Sequence, residues 1–138
     1  MSPDDFKKRT RALAIRVIRL VRALPKSPVG DVLGKQLLRC GTSVGSNYRA
    51  ACRAKSRLDF IAKMKIVEEE CDESLYWMDL LIESGLVKAA LLRDLMEEAD
   101  EILSLIVASI KTARSPKQSS IVNRQSSIAK RNSNGHAA

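Results

Sequence analysis

Histidine and aromatic residues are scarce in this chain of 138 residues. Aromatic residues make up 4% of the sequence, and the one histidine is His136, close to the C-terminus. General acid–base catalysis at neutral pH usually employs histidine, and a serine or cysteine nucleophile needs a neighbouring base. Cys40, Ser43 and Ser46 therefore have no histidine to activate them. We expect a protein that is not an enzyme.

The sequence also lacks the motifs that hold metals and nucleotide phosphates. The acidic run 68–73, EEECDE, could supply carboxylates, but carboxylate-bridged di-iron bundles also need Glu-x-x-His pairs on two helices. Neither Gly41 nor Gly45 is followed by the Lys-Ser/Thr of a phosphate loop. We expect no metal and no cofactor. The acidic run is better explained as a solvated face or as a partner for basic helices.

Cysteine is sparse, and long apolar runs are missing. Cys40, Cys52 and Cys71 are odd in number and form no C-x-x-C pair, which favours reduced thiols in a cytosolic protein. The N-terminus has no apolar signal-peptide core, and no apolar run approaches the roughly 20 residues that span a membrane. We expect a cytoplasmic protein with no membrane partner.

Helical periodicity is the strongest positive signal. Apolar residues recur at helical spacing in four stretches, which are separated by Pro25–Pro28, by the S-x-x-D sequence that starts at Ser56, and by Ser84-Gly85. This pattern predicts an all-α protein, an up-down-up-down antiparallel four-helix bundle over residues 1–112. Residues 113–138 are rich in serine, asparagine and basic residues, which predicts a disordered basic tail.

The apolar stripes predict the core of the later helices. In helix three the stripe comprises Phe60, Met64, Val67, Cys71, Leu75, Met78 and Ile82. In helix four it comprises Leu92, Leu95, Ala99, Ile102, Ile106 and Ile110.

Helix two is expected to run from about Val29 to Ala54, and it contains three glycines, Gly34, Gly41 and Gly45. A glycine costs roughly 1 kcal/mol of helix propensity relative to alanine, so we expect something to pack close to this backbone. It could be a helix of the same bundle or another subunit.

Charge is divided unevenly along the chain. Residues 7–65 contain sixteen Lys and Arg residues and two acids, whereas residues 66–112 contain twelve acids and three basic residues. Helix one has a basic face, formed by Lys8, Arg11, Arg19 and Arg22. Oppositely charged helices can pair within a bundle or between subunits, and uncovered basic surface can attract phosphates.

Five cations form a predicted basic ridge opposite the apolar stripe of helix two and its continuation. They are Lys35, Arg39, Arg49, Arg53 and Arg57. At 1.5 Å per residue the ridge would extend over roughly 33 Å of helix, which suits phosphate contacts that do not read bases. Tyr48 is the one aromatic residue of this helix and lies on its apolar side, so we expect no platform for base stacking.

Three short motifs give the sequence a family resemblance. They are R-x-x-x-S-x-x-x-N at Arg39, Ser43 and Asn47; S-x-x-D-F at Ser56, Asp59 and Phe60; and Ile66 with Glu73. In this pattern, over about residues 6–112, the chain resembles the bacterial four-helix bundle proteins related to those encoded within intervening sequences of 23S ribosomal RNA genes.

The resemblance implies a four-helix bundle and, in relatives, a homopentameric ring. It extends more distantly to accessory proteins of diversity-generating retroelements, in which a basic pentamer engages nucleic acid and a reverse transcriptase. Contacts between the basic helices of one copy and the acidic helices of the next would close into such a ring. The family-motif residues are expected to have structural roles. They are Arg39, Ser43, Asn47, Asp59, Phe60 and Glu73.

Two functions remain open from the sequence. The first is a non-enzymatic, homo-oligomeric bundle that binds RNA or DNA electrostatically through the basic face of helices one and two. The second is a protein–protein adaptor or scaffold, whose basic face is covered by contacts within the oligomer or with a partner protein.

Overall fold

Four helices in sequence form the bundle in the computed structural model, which describes residues 1–115. They are α1 (Pro3–Ala23), α2 (Pro28–Ala51), α3 (Arg57–Glu83) and α4 (Ala89–Arg114). Each helix packs against the next one, and none of residues 1–115 lies in a strand. The prediction of an all-α antiparallel bundle is confirmed.

Serine side chains begin the first three helices. The Ser2 hydroxyl accepts a hydrogen bond from the Asp5 amide at 3.1 Å, and the Asp5 carboxylate accepts one from the Ser2 amide at 3.2 Å. Ser27 and Ser56 cap α2 and α3 through the amides of Gly30 and Asp59. These bonds satisfy amides that have no partner within the helix.

Two predicted boundaries differ from the structure. Helix α2 ends at Ala51 rather than near Ala54, and α4 continues to Arg114 rather than ending at Thr112. The residues around both ends are compatible with a helix, so local propensity does not fix where the helix stops. The rest of the predicted tail, residues 116–138, lies outside the described part of the chain.

The core confirms the predicted stripe of α4 in full, and that of α3 in part. All six predicted positions of α4 are buried. In α3, Ile61, Ser74 and Leu81 are buried, whereas the predicted Phe60 and Leu75 are half-buried beside the core, as is Ile82. From Met64 to Leu81 the buried positions alternate three- and four-residue steps, a strict seven-residue repeat, whereas the predicted stripe took a second four-residue step from Cys71 to Leu75. The Ser74 hydroxyl donates to the Glu70 carbonyl at 2.8 Å, so it is satisfied in the core.

The glycines of α2 pack against α1 of the same chain. A Cβ atom at Gly41 would lie 2.9 Å from both methyl carbons of Val17, and one at Gly45 would lie 3.1 Å from the Thr10 hydroxyl. A Cβ at Gly34 would meet Leu24 at 3.1 Å. Of the two sequence alternatives, the structure therefore supports close packing within the bundle.

The bundle is closed less tightly between α1 and α4, which share the smallest of its helix interfaces. Arg9 of α1 joins this interface by donating from Nε to Glu98 at 2.9 Å, and its Nη2 lies 2.9 Å from Glu101. Hydrogen bonding to these carboxylates raises the pKa of Arg9.

Candidate nucleic-acid interface

The close packing of α1 and α2 leaves a shallow basic groove between them on the surface. Its cations are Lys7, Lys8, Arg11 and Arg49. Its floor consists of small residues from both helices, Thr10, Ala14, Thr42, Gly45 and Ser46. The groove has a volume of about 430 Å³. Because the floor has no bulky side chain, a ligand could approach the helix backbones between the cations.

The positive charge of the four cations in the basic groove is only partly offset, by Asp5, whose pKa Lys8 helps to lower. Within residues 1–115, none of them forms an ion pair, although Arg9, Arg39 and Lys63 do. The nearest acid by sequence, Asp5, is held in the α1 capping box, and hydrogen bonds from Ser2 lower its pKa. The groove therefore has an excess of positive charge.

The same helix pair has a second group of cations at its other end. Arg22, Lys26 and Lys35 line a groove of about 400 Å³, together with the carboxylate of Asp31. Arg19 is exposed on α1 between the two grooves. Positive charge thus extends along the α1–α2 face, from Lys8 on α1 to Lys26 in the connection to α2.

The five cations predicted as one ridge do not lie on one helix. Lys35 and Arg49 are exposed on α2, and Arg53 is exposed in the connection that follows it. Arg57 is the first residue of α3, where its Nη1 donates to the Ala113 carbonyl at 3.1 Å. Arg39 is engaged by two acids of α3. The five cations therefore do not form one continuous helical row, because Arg53 and Arg57 lie beyond the end of α2 and Arg39 is paired with α3; their contact with nucleic acid stays a prediction.

Arg39 joins α2 to α3 through Glu70 and Glu73. Its Nη1 lies 3.4 Å from Glu70, and its Nη2 donates to Glu73, which also accepts from Trp77 Nε1 at 3.2 Å. Burial raises the pKa of Glu70, although Arg39 acts in the opposite direction. Arg39 is therefore less available to an external anion than Lys8 or Arg11.

The remaining family-motif residues make local contacts. Ser43 Oγ donates to the Arg39 carbonyl at 2.7 Å, and Asn47 Nδ2 donates to the Ser43 carbonyl at 2.8 Å. Asp59 accepts from the Lys55 amide at 3.0 Å and from Lys63 Nζ at 2.6 Å, and these bonds lower its pKa. These contacts stabilise helix geometry and the start of α3, and none of them resembles a catalytic arrangement.

The two buried thiols, those of Cys40 and Cys71, have low reactivity. Burial raises the pKa of Cys40, and it raises that of Cys71 to about 12. Cys71 donates to the Ala99 carbonyl at 3.3 Å, and Cys40 lies 3.3 Å from the Ser74 hydroxyl. Both thiols stay protonated at neutral pH, which leaves them poor nucleophiles. Among the described residues, no group of three or more His, Cys, Asp or Glu side chains could hold a metal ion.

An apolar pocket of about 610 Å³ lies at the end of the bundle where α1 and α3 begin and α2 and α4 finish. We call it the end pocket, and Phe6, Tyr48, Phe60, Met64 and Leu105 supply its apolar walls. Sequence reasoning missed it, and expected no platform for base stacking at Tyr48, because its aromatic residues come from three different helices. No helix within residues 1–115 is long and apolar enough to cross a membrane.

These features define a small all-α bundle protein with a basic α1–α2 face. The family model of the 23S rRNA-intervening sequence protein matches residues 5–108, and the chain belongs to that family. The family resemblance seen in the sequence motifs is thereby confirmed.

The bundle is also similar to a solved structure with comparable length. It is the 1.70 Å crystal structure of a protein of unknown function, from the S23 ribosomal protein family of Bacteroides thetaiotaomicron VPI-5482. The two chains are 34% identical, the match covers 80% of this chain and 99% of that chain, and the TM-score is 0.75. No functionally curated protein matches this chain.

Proposed function

We propose that this protein is a non-enzymatic bundle of the cytoplasm that binds RNA or DNA through the α1–α2 face. The observation that carries the proposal is the basic groove, in which Lys7, Lys8, Arg11 and Arg49 converge without an ion-pair partner among residues 1–115. A phosphate backbone supplies the repeated negative charge that such a surface attracts.

The floor of the groove favours contacts to phosphates rather than to paired base edges. Thr42 Oγ1 donates to the Leu38 carbonyl at 2.7 Å, and Ser46 Oγ donates to the Ser43 carbonyl at 3.3 Å. These hydroxyl protons are already used within α2. The long, flexible lysine and arginine side chains are then the principal donors, and their contacts with phosphates carry little sequence information.

A homo-oligomer is the second part of the proposal. Acidic residues are exposed on α3 and α4, among them Glu69, Asp72, Asp79, Asp94 and Asp100. A second copy could place its basic face against this acidic surface, and such head-to-tail contacts close into rings. The family resemblance suggests a pentamer. Some cations would then be covered by a neighbouring copy, and the others would remain for nucleic acid.

The experiment compares two charge-reversed variants of the full chain. The groove variant is Lys8→Glu/Arg11→Glu/Arg49→Glu. Its matched control is Lys88→Glu/Arg93→Glu/Lys111→Glu, which changes net charge equally at three cations exposed outside the α1–α2 face. Binding of labelled single-stranded RNA and DNA is measured by anisotropy at several salt concentrations, and helix content by circular dichroism.

We expect the groove variant to lose about ten-fold or more in affinity at 0.1 M salt, and to show a shallower dependence of log affinity on log salt. Each lost phosphate contact on a single strand should reduce the slope by about 0.7. The control should lose much less affinity. Equal losses in both variants would mean that bulk charge, rather than the groove, drives binding.

A protein–protein adaptor is the competing function, and the same samples distinguish it. Its supporting observation is that the basic and acidic faces have opposite charge, so protein–protein contacts could cover both of them completely. If the unmodified chain binds neither RNA nor DNA, while the groove variant alters the mass of the assembly, the nucleic-acid proposal fails and the adaptor replaces it.

A further inference from the structure

The end pocket has the composition of a ligand site. Phe6 of α1, Tyr48 of α2 and Phe60 of α3 contribute three aromatic rings to its wall. The rings of Phe6 and Tyr48 meet edge to face, with centroids 4.6 Å apart and planes at 74°. Its volume of about 610 Å³ falls within the range of roughly 300–1,000 Å³ that is typical of small-ligand pockets.

Two hydroxyl groups in this wall lack strong hydrogen-bond partners. Tyr48 is only 7% exposed, yet its hydroxyl has no nitrogen or oxygen partner among residues 1–115 and lies beside the Cys52 thiol, a weak acceptor. Burial raises the pKa of Tyr48, so the hydroxyl keeps its proton at neutral pH. Ser109 lines the same pocket, and its hydroxyl also has no partner among these residues. Among residues 1–115 no buried side-chain nitrogen or oxygen lacks a partner, so these two hydroxyls reach the open space of the pocket, where they could pair with a ligand.

Lys7 connects the end pocket to the basic groove. Its side chain lines both cavities, with the aromatic wall of Phe6 and Tyr48 on one side and Arg11 and Arg49 on the other. Arg53 and Lys55, in the α2–α3 connection that borders the pocket, are exposed and add positive charge near its mouth. A ligand that fills both cavities would combine a flat apolar group with an adjoining anion.

We propose that the end pocket receives an unpaired nucleobase of a strand whose phosphates lie in the basic groove. This inference rests on the proposed nucleic-acid binding and specifies its class, a single strand or a strand end. A nucleobase has apolar faces for the aromatic wall and polar edges for the hydroxyls of Tyr48 and Ser109. Within a duplex the same base is stacked and paired, and extracting it costs a few kcal/mol. Duplexes should therefore bind only through the groove.

The test separates base binding from phosphate binding. Three probes of equal length are compared by anisotropy on the full chain: a single strand, the same backbone with abasic sites, and the corresponding duplex. Base–aromatic stacking is worth about 1–3 kcal/mol per base in single-strand binders, so we expect the normal strand to bind about five-fold or more tightly than the abasic strand. Phe60→Ala should remove most of this advantage and leave abasic binding unchanged.

Leu58→Ala is the matched control, because Leu58 lies in the same turn of α3 but is 71% exposed and outside the pocket. Should Phe60→Ala unfold the protein, the unmodified chain still provides an answer through Cys52. This thiol is the exposed one of the three cysteines and lines the pocket. The normal strand should slow its alkylation by N-ethylmaleimide, whereas the abasic strand at equal occupancy should not.

The outcomes identify which inference has failed. Equal affinity for the normal and abasic strands, with equal alkylation of Cys52, would overturn the nucleobase pocket and leave groove binding intact. Absence of binding by all three probes would overturn the proposed function and the pocket with it. Protection of Cys52 by an added free nucleoside alone, without tighter binding of the strand, would also contradict the link through Lys7.

Discussion

Glu70 and Glu73 face the same arginine, but their surroundings differ. Glu73 accepts hydrogen bonds from Arg39 and from Trp77, whereas Glu70 is 3.4 Å from Arg39 and loses hydration by burial. Burial raises the pKa of Glu70 above its ordinary value of 4.5. Ionised Glu70 is therefore less favourable in the folded protein than in the unfolded chain.

We predict that Glu70→Gln leaves stability at pH 7 unchanged or slightly higher. The raised pKa of Glu70 contributes stability below about pH 4.5, where the carboxyl is protonated, and this contribution is lost as pH rises through the folded pKa. Glutamine is uncharged at pH 7, so the substitution removes the unfavourable burial of an ionised carboxylate. It also removes a weak ion pair with Arg39, which is worth about 0–1 kcal/mol. Urea unfolding at pH 7 and at pH 4 measures the free energy of unfolding of both proteins. The value for the variant minus that for the unmodified protein should be more positive at pH 7 than at pH 4.

Glu73→Gln provides the comparison for this prediction. It weakens the bonds from both Arg39 and Trp77, and we expect a loss of about 0.5–1.5 kcal/mol at pH 7. If Glu70→Gln destabilises the protein as much as Glu73→Gln, the Arg39–Glu70 contact outweighs the burial of the carboxylate.

At the scale of helices, Gly41 sets the distance between α1 and α2. Its missing side chain makes room for Val17, which is fully buried. The close approach brings the cations of α1 and α2 onto one surface, and it makes the floor of the basic groove shallow. Helix packing and the candidate binding surface thus depend on the same residue.

We predict that Gly41→Ala destabilises the bundle by about 1–3 kcal/mol, as overpacking of a filled core usually does. The added Cβ would lie 2.9 Å from two methyl groups of Val17, which outweighs a gain of roughly 1 kcal/mol in helix propensity. Thermal and urea unfolding, followed by circular dichroism, measure the change.

The double variant Val17→Ala/Gly41→Ala tests the cause. Val17→Ala removes the methyl groups that the new Cβ would meet, so alanine at position 41 should cost less in this background than in the unmodified protein. An equal cost in both backgrounds would show that a contact other than Val17 limits this position.

The helices themselves could be predicted from the sequence, because apolar spacing and serine caps act locally. The α4 stripe from Leu92 to Ile110 was correct, as was the capped start of α3 at Ser56. The end of α2 could not be predicted, since the residues that follow Ala51 remain compatible with a helix. Its position decided whether Arg53 belonged to α2.

The candidate site depends on how the helices are rotated against each other, which single-helix patterns do not specify. The basic faces of α1 and α2 were visible separately, but their convergence on Arg11 and Arg49 follows from the glycine contacts. Likewise, Arg39 is paired because of the register between α2 and α3. The end pocket combines Phe6 and Phe60 with Tyr48, residues too distant in sequence for a periodicity argument to connect them.

For the whole molecule, the division of charge has consequences beyond one chain. Arg9 and Arg39 pair with acids of α4 and α3, but most cations of α1 and α2 have no ion-pair partner within residues 1–115. Exposed carboxylates such as Glu69 and Asp94 likewise have no ion-pair partner within residues 1–115. Two copies arranged head to tail would bring these surfaces together.

We therefore predict an assembly whose mass depends on salt. Charge attraction between exposed groups is screened over about 10 Å at 0.1 M salt and about 3 Å at 1 M. Light scattering should give a multiple of 15.3 kDa at 0.1 M salt, with a shift towards the single-chain mass at 1 M. The Lys8→Glu/Arg11→Glu/Arg49→Glu variant should assemble less, because its reversed charges would repel the acidic helices of the next copy.

Two results would contradict this account in different ways. A mass of 15.3 kDa at both salt concentrations would exclude a homo-oligomer driven by the charge division. A larger mass that does not change with salt would instead indicate an apolar interface, for which Leu91 and Leu58 are the first candidates because they are 75% and 71% exposed. In that case the basic groove would not be needed for assembly, and its cations would all remain available to a phosphate backbone.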